Sequence, residues 1–507
     1  MILELLIVLI YAVCLLTLLL FAITQVLLFH KFLDSRNQTK ENQLTPYNLK
    51  DDLPKVTIQL PVYNEQNVIN SLLKHVAAIE YPRDRLEIQV LDDSTDDTTN
   101  IIKSLVASLR TQGIPINHLH RTNREGFKAG ALKEGLKQAT GEFIAIFDAD
   151  FLPQEDWLLR SMPYFNQKDI GVVQTRWGHI NRKESILTRV QAFALDLHFS
   201  LEQMGRQASG VFMNFNGTAG IWRKSCILDA GNWSGTTLTE DLDLSYRAQL
   251  KGWKIVYRPE IITPAELPQT VQAARSQQFR WNKGGAQNFR QLWRTLWGSE
   301  QLNLKEKIFG TAHLFSSSLF FIVLLLILLS IPLLWIKNSH PQWTWIFYLF
   351  QAFGLTTLLL VWAYTGAYKM INTERKLSWG RAFYDFLVFF TLAIGLSANN
   401  AIAVIQAHLG VITPFVRTPK FNPRASSESK QTTDKGPGTP TMAYYSSSGQ
   451  FFPAALELFL MIYAFGGLWL AANMGPKGDY GLAPFHLLCI LGFGYLFIKS
   501  IFAKSKI

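Results

Sequence analysis

Six apolar runs constrain this chain more than any other feature. Residues 5–29, 311–336, 345–367, 383–405, 452–472 and 484–502 are almost wholly apolar. Each approaches or exceeds the roughly 20 residues that carry a helix across a bilayer. Between the first two lies a mixed stretch, 31–307, with the polar content of a soluble domain. The expected organisation has three parts: a transmembrane anchor at 1–30, a globular domain at 31–300 with interface helices toward its end, and a membrane block at 301–507. Within the last, 424–450 has the composition of a flexible linker. The first run reads as an anchor rather than a cleaved signal peptide. It starts with Glu4 instead of a basic region, it is too long, and no small-residue cleavage site follows.

Lysine and arginine near the spans set orientation. Lys31, Arg36 and Lys40 follow the first run, so the globular domain is expected to face the cytoplasm of a plasma, inner or Golgi membrane. Lys369, Arg375, Lys376 and Arg381 mark another cytoplasmic loop. A simple crossing by 383–408 would put the basic 417–435 outside, so a re-entrant or interfacial helix pair is expected there. The net charge of +11 is accounted for by membrane flanks and an anionic substrate, and no nucleic-acid-binding motif is present. Cys14, Cys226 and Cys489 are scattered, which suggests neither a disulfide framework nor a zinc site.

Short apolar strands alternate with helical patterns in the soluble domain. Strands are expected at 56–62, 86–91, 116–119 and 143–147, with helices following the first three, which indicates a parallel sheet. Ligands of such sheets bind beyond the carboxyl ends of the strands. Those ends carry Tyr63 and Glu65, then Asp92 and Asp93, then Arg121, Arg124 and Lys128, then Asp148 and Asp150. A rim of alternating acid and base suits a ligand with phosphates, hydroxyls and a metal. No G-x-G-x-x-G follows the first strand, which disfavours a bare dinucleotide fold. A helix cap alone could account for Asp92 and Asp93. Asp148 and Asp150, two apart on an extended chain, point to opposite sides, so one can meet a metal while the other holds a sugar or ribose. Their hard oxygens suit Mg2+ or Mn2+.

The stretch Thr239-Glu240-Asp241-Leu242-Asp243 places three carboxylates within four residues. Thr237 and Glu240 have capping-box spacing, and Leu242, Tyr246 and Leu250 recur every four residues, so a helix with one buried face should start here.

Taken in order, "PVYNE", "QVLDDSTDDTTN", "REGFKAGAL", "FDADF", "FNGTAGIWR", "TEDLDLSYRAQLKGW" and "QQFRW" resemble the D, D-x-D, T-E-D and Q-x-x-R-W series of family 2 membrane glycosyltransferases. The likeness is greatest to the cellulose synthase-like glucan and glucomannan synthases and runs from about 54 to 300. It implies a GT-A-type, Rossmann-like α/β domain inserted between the anchor and the membrane block. It further implies inverting transfer from a nucleotide-diphosphate sugar, UDP-glucose or GDP-mannose, to a growing β-linked chain. Carried over by residue, Asp92 or Asp93 contacts the nucleotide beside Tyr63 and Glu65, and Asp148 and Asp150 hold the diphosphate and its metal. Asp241 is the general base, flanked by Thr239 and Glu240. Gln277, Arg280 and Trp281 line the acceptor end, and Lys128 and Arg280 neutralise leaving-group charge. Trp281 is then a flat platform for a pyranose, although a core tryptophan or an interface helix accounts for it equally. Gly217 and Thr218 either let backbone approach the acceptor or form a turn. "PFVRTPK" resembles the gating loop of processive synthases, with Phe415 and Arg417 in it and Thr418 and Lys420 reaching the phosphates; a basic juxtamembrane loop is the alternative. The implied partners are the nucleotide sugar, an oligosaccharide acceptor and the bilayer. A non-processive enzyme with a lipid acceptor is the competing class. A catalytically dead assembly protein would be expected to lack a carboxylate, and none is missing.

Overall fold

A computed structural model describes residues 1–38, 53–371, 377–415, 448–474 and 478–502. Seven strands form one sheet in the order β3-β2-β1-β4-β6-β5-β7. They are β1 (Val56–Val62), β2 (Leu86–Asp92), β3 (Ile116–His120), β4 (Phe143–Ile146), β5 (Ile170–His179), β6 (Gly220–Arg223) and β7 (Lys254–Ala265). The runs Val56–Leu60 and Phe143–Ile146 are buried without interruption, the pattern of strands covered on both faces. Pairing is parallel except at β6, which runs antiparallel to both β4 and β5. The four strands expected from sequence pair in parallel, and β6 makes the whole sheet mixed. The reversal matters: it brings the loop before β6 to the rim where β1, β2 and β4 end.

The helices are α1 (Ile2–Gln38), α2 (Ile69–Ala77), α3 (Thr98–Thr111), α4 (Phe127–Gln138), α5 (Trp157–Ser161), α6 (Ile186–Leu197), α7 (Gln203–Ser209), α8 (Lys224–Asp229), α9 (Glu240–Leu250) and α10 (Val271–Gly298). Beyond the sheet come α11 (Leu304–Phe315), α12 (Leu319–Ser339), α13 (Thr344–Ala352), α14 (Gly354–Ile371), α15 (Trp379–His408), α16 (Ser448–Asn473) and α17 (Ala483–Phe502). Two apolar layers enclose the sheet. One includes Ile58, Val90, Phe147 and Trp157; the other includes Leu132, Ile144, Trp222 and Leu244.

Six helical segments are long and apolar enough to cross a membrane, and the chain is a multi-pass membrane protein. Their ends meet at two levels. At one, Glu4 bonds His340 at 3.1 Å and Lys337 pairs with Asp479 at 2.8 Å. At the other, Arg182 donates to the Tyr368 hydroxyl at 2.9 Å and Arg275 donates to Ser500 Oγ at 2.8 Å, so this level adjoins the α/β domain.

α15 departs from expectation. It is one unbroken helix of 30 residues, not a pair. Three contacts spread along it reach the domain's own helices: Asp385 with Arg189 of α6 at 3.4 Å, Asn399 with the Arg275 carbonyl of α10 at 3.4 Å, and the Ala407 carbonyl with Arg290 at 3.1 Å. Of the polar residues that interrupt its hydropathy, Ser397 is satisfied within the helix, its Oγ donating to the Ile394 carbonyl at 2.6 Å. The expected linker at 424–450 lies outside the described residues up to 447, and its last three residues open α16.

Candidate active site

A cavity opens at the sheet rim where the carboxyl ends of β1, β2, β4, β5 and β7 meet the start of β6. Of the residues singled out from sequence, Tyr63, Glu65, Asp93, Lys128, Asp148, Asp150, Gly217, Thr239, Glu240, Asp241, Gln277, Arg280, Trp281 and Phe415 line it. Asp92 and Thr218 do not. Asp92 is fully buried and turned to the other side of its strand, where it accepts from His118 and the Ser94 N–H. Consecutive strand residues face opposite ways, so only one of the pair can reach the cavity, and it is Asp93. Asp93 is gripped by Arg121, whose Nε donates at 2.7 Å. Thr218 sits behind the rim; its hydroxyl accepts from the Asp148 N–H at 2.8 Å. Arg417, Thr418 and Lys420 lie outside the described residues.

Lys128 is the second residue of α4, just after Phe127, which holds a left-handed φ of 51°. Such strain in a non-glycine residue is concentrated at functional sites. The Lys128 ammonium pairs with Asp148 and also donates to the Gly217 carbonyl at 2.8 Å. Burial alone would depress the lysine, but Asp148, Glu240 and Asp241 more than offset it and hold its pKa above the ordinary value. Asp150 is turned away from that pair and accepts from the Glu266 N–H at 3.3 Å. Asp148, Asp150 and Glu266 line the one cavity. Carboxylates are the oxygen ligands that Mg2+ and Mn2+ take, with water and phosphate oxygens completing the shell.

The acid-rich stretch divides its labour. Asp243 is tied to Arg247 at 2.6 Å and is structural. Glu240 and Asp241 face the cavity. The expected capping box is not formed: α9 starts at Glu240, Thr239 caps it without a side-chain bond, and the Thr237 hydroxyl instead donates to the Thr239 carbonyl at 3.2 Å. The reason is α10, which crosses here. Asn288 donates to the Thr239 hydroxyl at 2.9 Å, and a Cβ at Gly284 would lie 2.4 Å from that same oxygen. A helix N-terminus favours the ionised carboxylate, and the Leu242 N–H does donate to Asp241 Oδ1 at 2.9 Å. Burial first, and then the Glu240 carboxylate, outweigh that bond, Lys128 and Arg280, so the carboxyl is pushed up to about 7.

Arg280 and Trp281 leave α10 toward the cavity, and the Arg280 guanidinium lies 4.7 Å from the Phe415 ring. Phe415 in turn stacks on Phe127 at 5.9 Å. A second, mostly apolar cavity of about 380 Å³ shares Trp177, Asp241, Gln277 and Trp281 with the first. It extends to Phe320 of α12, to Phe389 and Leu392 of α15 and to Leu496 of α17. Sequence reasoning missed Glu266, His179 and Asn216 on these walls. The first two follow β7 and end β5. Placing those two strands on the rim would have found both. Beneath His179, buried Asp196 gathers Arg176 at 3.1 Å and Arg182 at 2.6 Å.

A GT-A-like mixed sheet with acids and cations on its rim is thus set against a bundle of apolar helices. Residues 54–284 match the family described as Glycosyltransferase like family 2. The chain is 43% identical over 263 residues to glucomannan 4-beta-mannosyltransferase 1 of Oryza sativa subsp. japonica, covering 50% of each. It is 40% identical over 272 residues to glucomannan 4-beta-mannosyltransferase 9 of Arabidopsis thaliana, covering 51% of each. The chain therefore spans about half the length of the curated relatives it matches. A solved structure of mannosyltransferase PcManGT from Pyrobaculum calidifontis, in complex with GDP-Man and Mn2+, is 18% identical. The match covers 78% of this chain and 100% of that one at a TM-score of 0.49, a likeness too loose to decide anything about the site.

Proposed function

We propose that this protein is an inverting, metal-assisted glycosyltransferase that moves a hexose from a nucleotide-diphosphate sugar onto a growing β-linked glycan. The relatives support mannose as the hexose and β-1,4 as the linkage. One observation carries the reading: Asp148, Lys128, Asp241 and Trp281, far apart in the chain, line a single cavity.

Asp93 and Tyr63 flank the nucleotide. Asp148 and Asp150 hold the diphosphate together with Mg2+ or Mn2+, which when bound acts as Lewis acid toward the leaving group. Lys128 and Arg280 add fixed positive charge where the departing phosphate becomes more negative. Asp241 takes the proton of the acceptor hydroxyl, which attacks in line and inverts the anomeric carbon in one step. General-base help of this kind typically contributes about 10²- to 10⁴-fold. Trp281 offers its flat face to the acceptor sugar, and Gln277 a hydrogen bond. Phe415 closes the donor side.

The second cavity supports a polymer path from Asp241 into the helix bundle. In this arrangement the α/β domain faces the cytoplasm, α15 lies flat beneath it, and the other five candidate spans cross. The apolar lining of that cavity also suits a lipid acceptor, which is the second reading. Membranes supplied with a panel of labelled nucleotide sugars separate the two. A product of many residues, released by mannanase, supports the first; a single sugar extracted with lipid replaces it with the second; no transfer from any donor removes both.

A further inference from the structure

Among the described residues, one group of three metal-ligand side chains brings its ligand atoms within 4.8 Å of one another: Asp92, His118 and His120. It lies outside the cavity. The fold assembles it by register. His118 and His120 are two apart on the edge strand β3, so both rings project to one face of the sheet. On the parallel neighbour β2, Asp92 sits opposite His120. Both rings turn toward the same carboxylate oxygen. His118 Nε2 is 2.9 Å and His120 Nδ1 is 3.2 Å from Asp92 Oδ2. The other oxygen, Oδ1, is fixed by the Ser94 N–H at 2.8 Å, which orients the carboxylate from behind.

The geometry points to a zinc site here, distinct from the all-oxygen acids of the cavity. Two imidazoles and a carboxylate are the three-ligand set that binds Zn2+ while leaving a position for water. Imidazole nitrogens favour Zn2+ over Mg2+, so the two kinds of site select different ions. Spacings near 3 Å between ligand atoms are those a tetrahedral ion with bonds of about 2.0–2.2 Å imposes. A hydrogen-bonded second contact behind the carboxylate is the usual companion of such sites. Entry is from solvent past His120, whose side chain is 35% exposed, whereas Asp92 is fully buried. On binding, His118 carries its proton on Nδ1 and His120 on Nε2, and protons now shared with Asp92 leave to water. The ion would pin the edge strand to β2 one residue before Asp93, and so steady the nucleotide side of the cavity without touching it.

The test uses the full chain without a histidine tag, in detergent, stripped with chelator and then held in excess Mg2+ to fill the oxygen sites. Zn2+ titration is followed by calorimetry, and Co2+ in its place by visible absorption. The expected result is one Zn2+ per chain, a Co2+ spectrum of low coordination number, and an unfolding temperature that rises with Zn2+. His120→Asn should weaken binding about tenfold or more, and His118→Asn with His120→Asn should abolish it. Unchanged far-ultraviolet dichroism and donor binding in the single variant show that the fold is intact. No stoichiometric binding by the parent chain, or equal binding by the double variant, overturns the proposal and leaves three side chains joined only by hydrogen bonds.

Discussion

Lys128 and Gly217 are joined by a hydrogen bond of 2.8 Å from the ammonium to the carbonyl, across 89 positions of sequence. The same ammonium pairs with Asp148. One side chain therefore ties the donor-side acid to the loop beside Asp241. Lys128→Met is expected to lower kcat/KM by about 10²- to 10³-fold, the typical loss when one preorganised charge is removed. Steady-state rates with the labelled donor check this, and a loss below threefold would detach Lys128 from the chemistry.

Asp241→Asn should reduce transfer by about 10²- to 10⁴-fold while donor binding persists. It should also raise the unfolding temperature at neutral pH. Between the ordinary aspartate value, 3.8, and about 7, the folded chain keeps a proton at Asp241 that the unfolded chain has released. Stability therefore falls as pH rises through that window, and the cost is fully felt above it. Replacing the carboxyl by an amide removes that cost. A variant that is less stable at pH 8 than the parent would contradict this.

The same group sets the pH profile. kcat/KM reports the free enzyme, so it should climb with pH up to about 7, where Asp241 becomes ionised, and then level off. A profile flat from pH 5 to 8 would mean that another group takes the proton.

Chelation should stop transfer, and Mg2+ or Mn2+ should restore it. Asp150→Asn should demand more metal for half-activity, because its carboxylate lines the cavity together with that of Asp148. Full turnover in excess chelator would remove Asp148 and Asp150 from that role.

Membrane arrangement can be read by labelling. The native cysteines are buried, so introduced ones report cleanly. Leu409→Cys, at an exposed position just after α15, should react from the same face as Gln112→Cys in the α/β domain. Tyr480→Cys should react only from the opposite face. Labelling of position 409 from the face of position 480 would mean that α15 crosses.

Much of the site was legible because acids and bases followed unmistakable apolar strands, as Asp148 follows Phe143–Phe147. What escaped depends on the third dimension. Nothing local distinguishes Asp92 from Asp93; only strand alternation in the folded sheet does. The capping spacing of Thr237 and Glu240 was genuine, but α10 arrived to claim Thr239. The helix N-terminus beside Asp241 was correctly foreseen, and its effect is outweighed by burial and Glu240, which no sequence pattern weighs. α15 has the hydropathy of a crossing helix, and its contacts with Arg189, Arg275 and Arg290, invisible in the sequence, are what support the flat placement proposed above.

Gly217 adopts a φ of 81°, and a Cβ there would lie 2.9 Å from Asp241 Oδ2 and 3.5 Å from Lys128 Nζ. The space a side chain would need is already occupied by the two charged groups themselves. Position 217 is thus closed to natural drift and to the engineer alike.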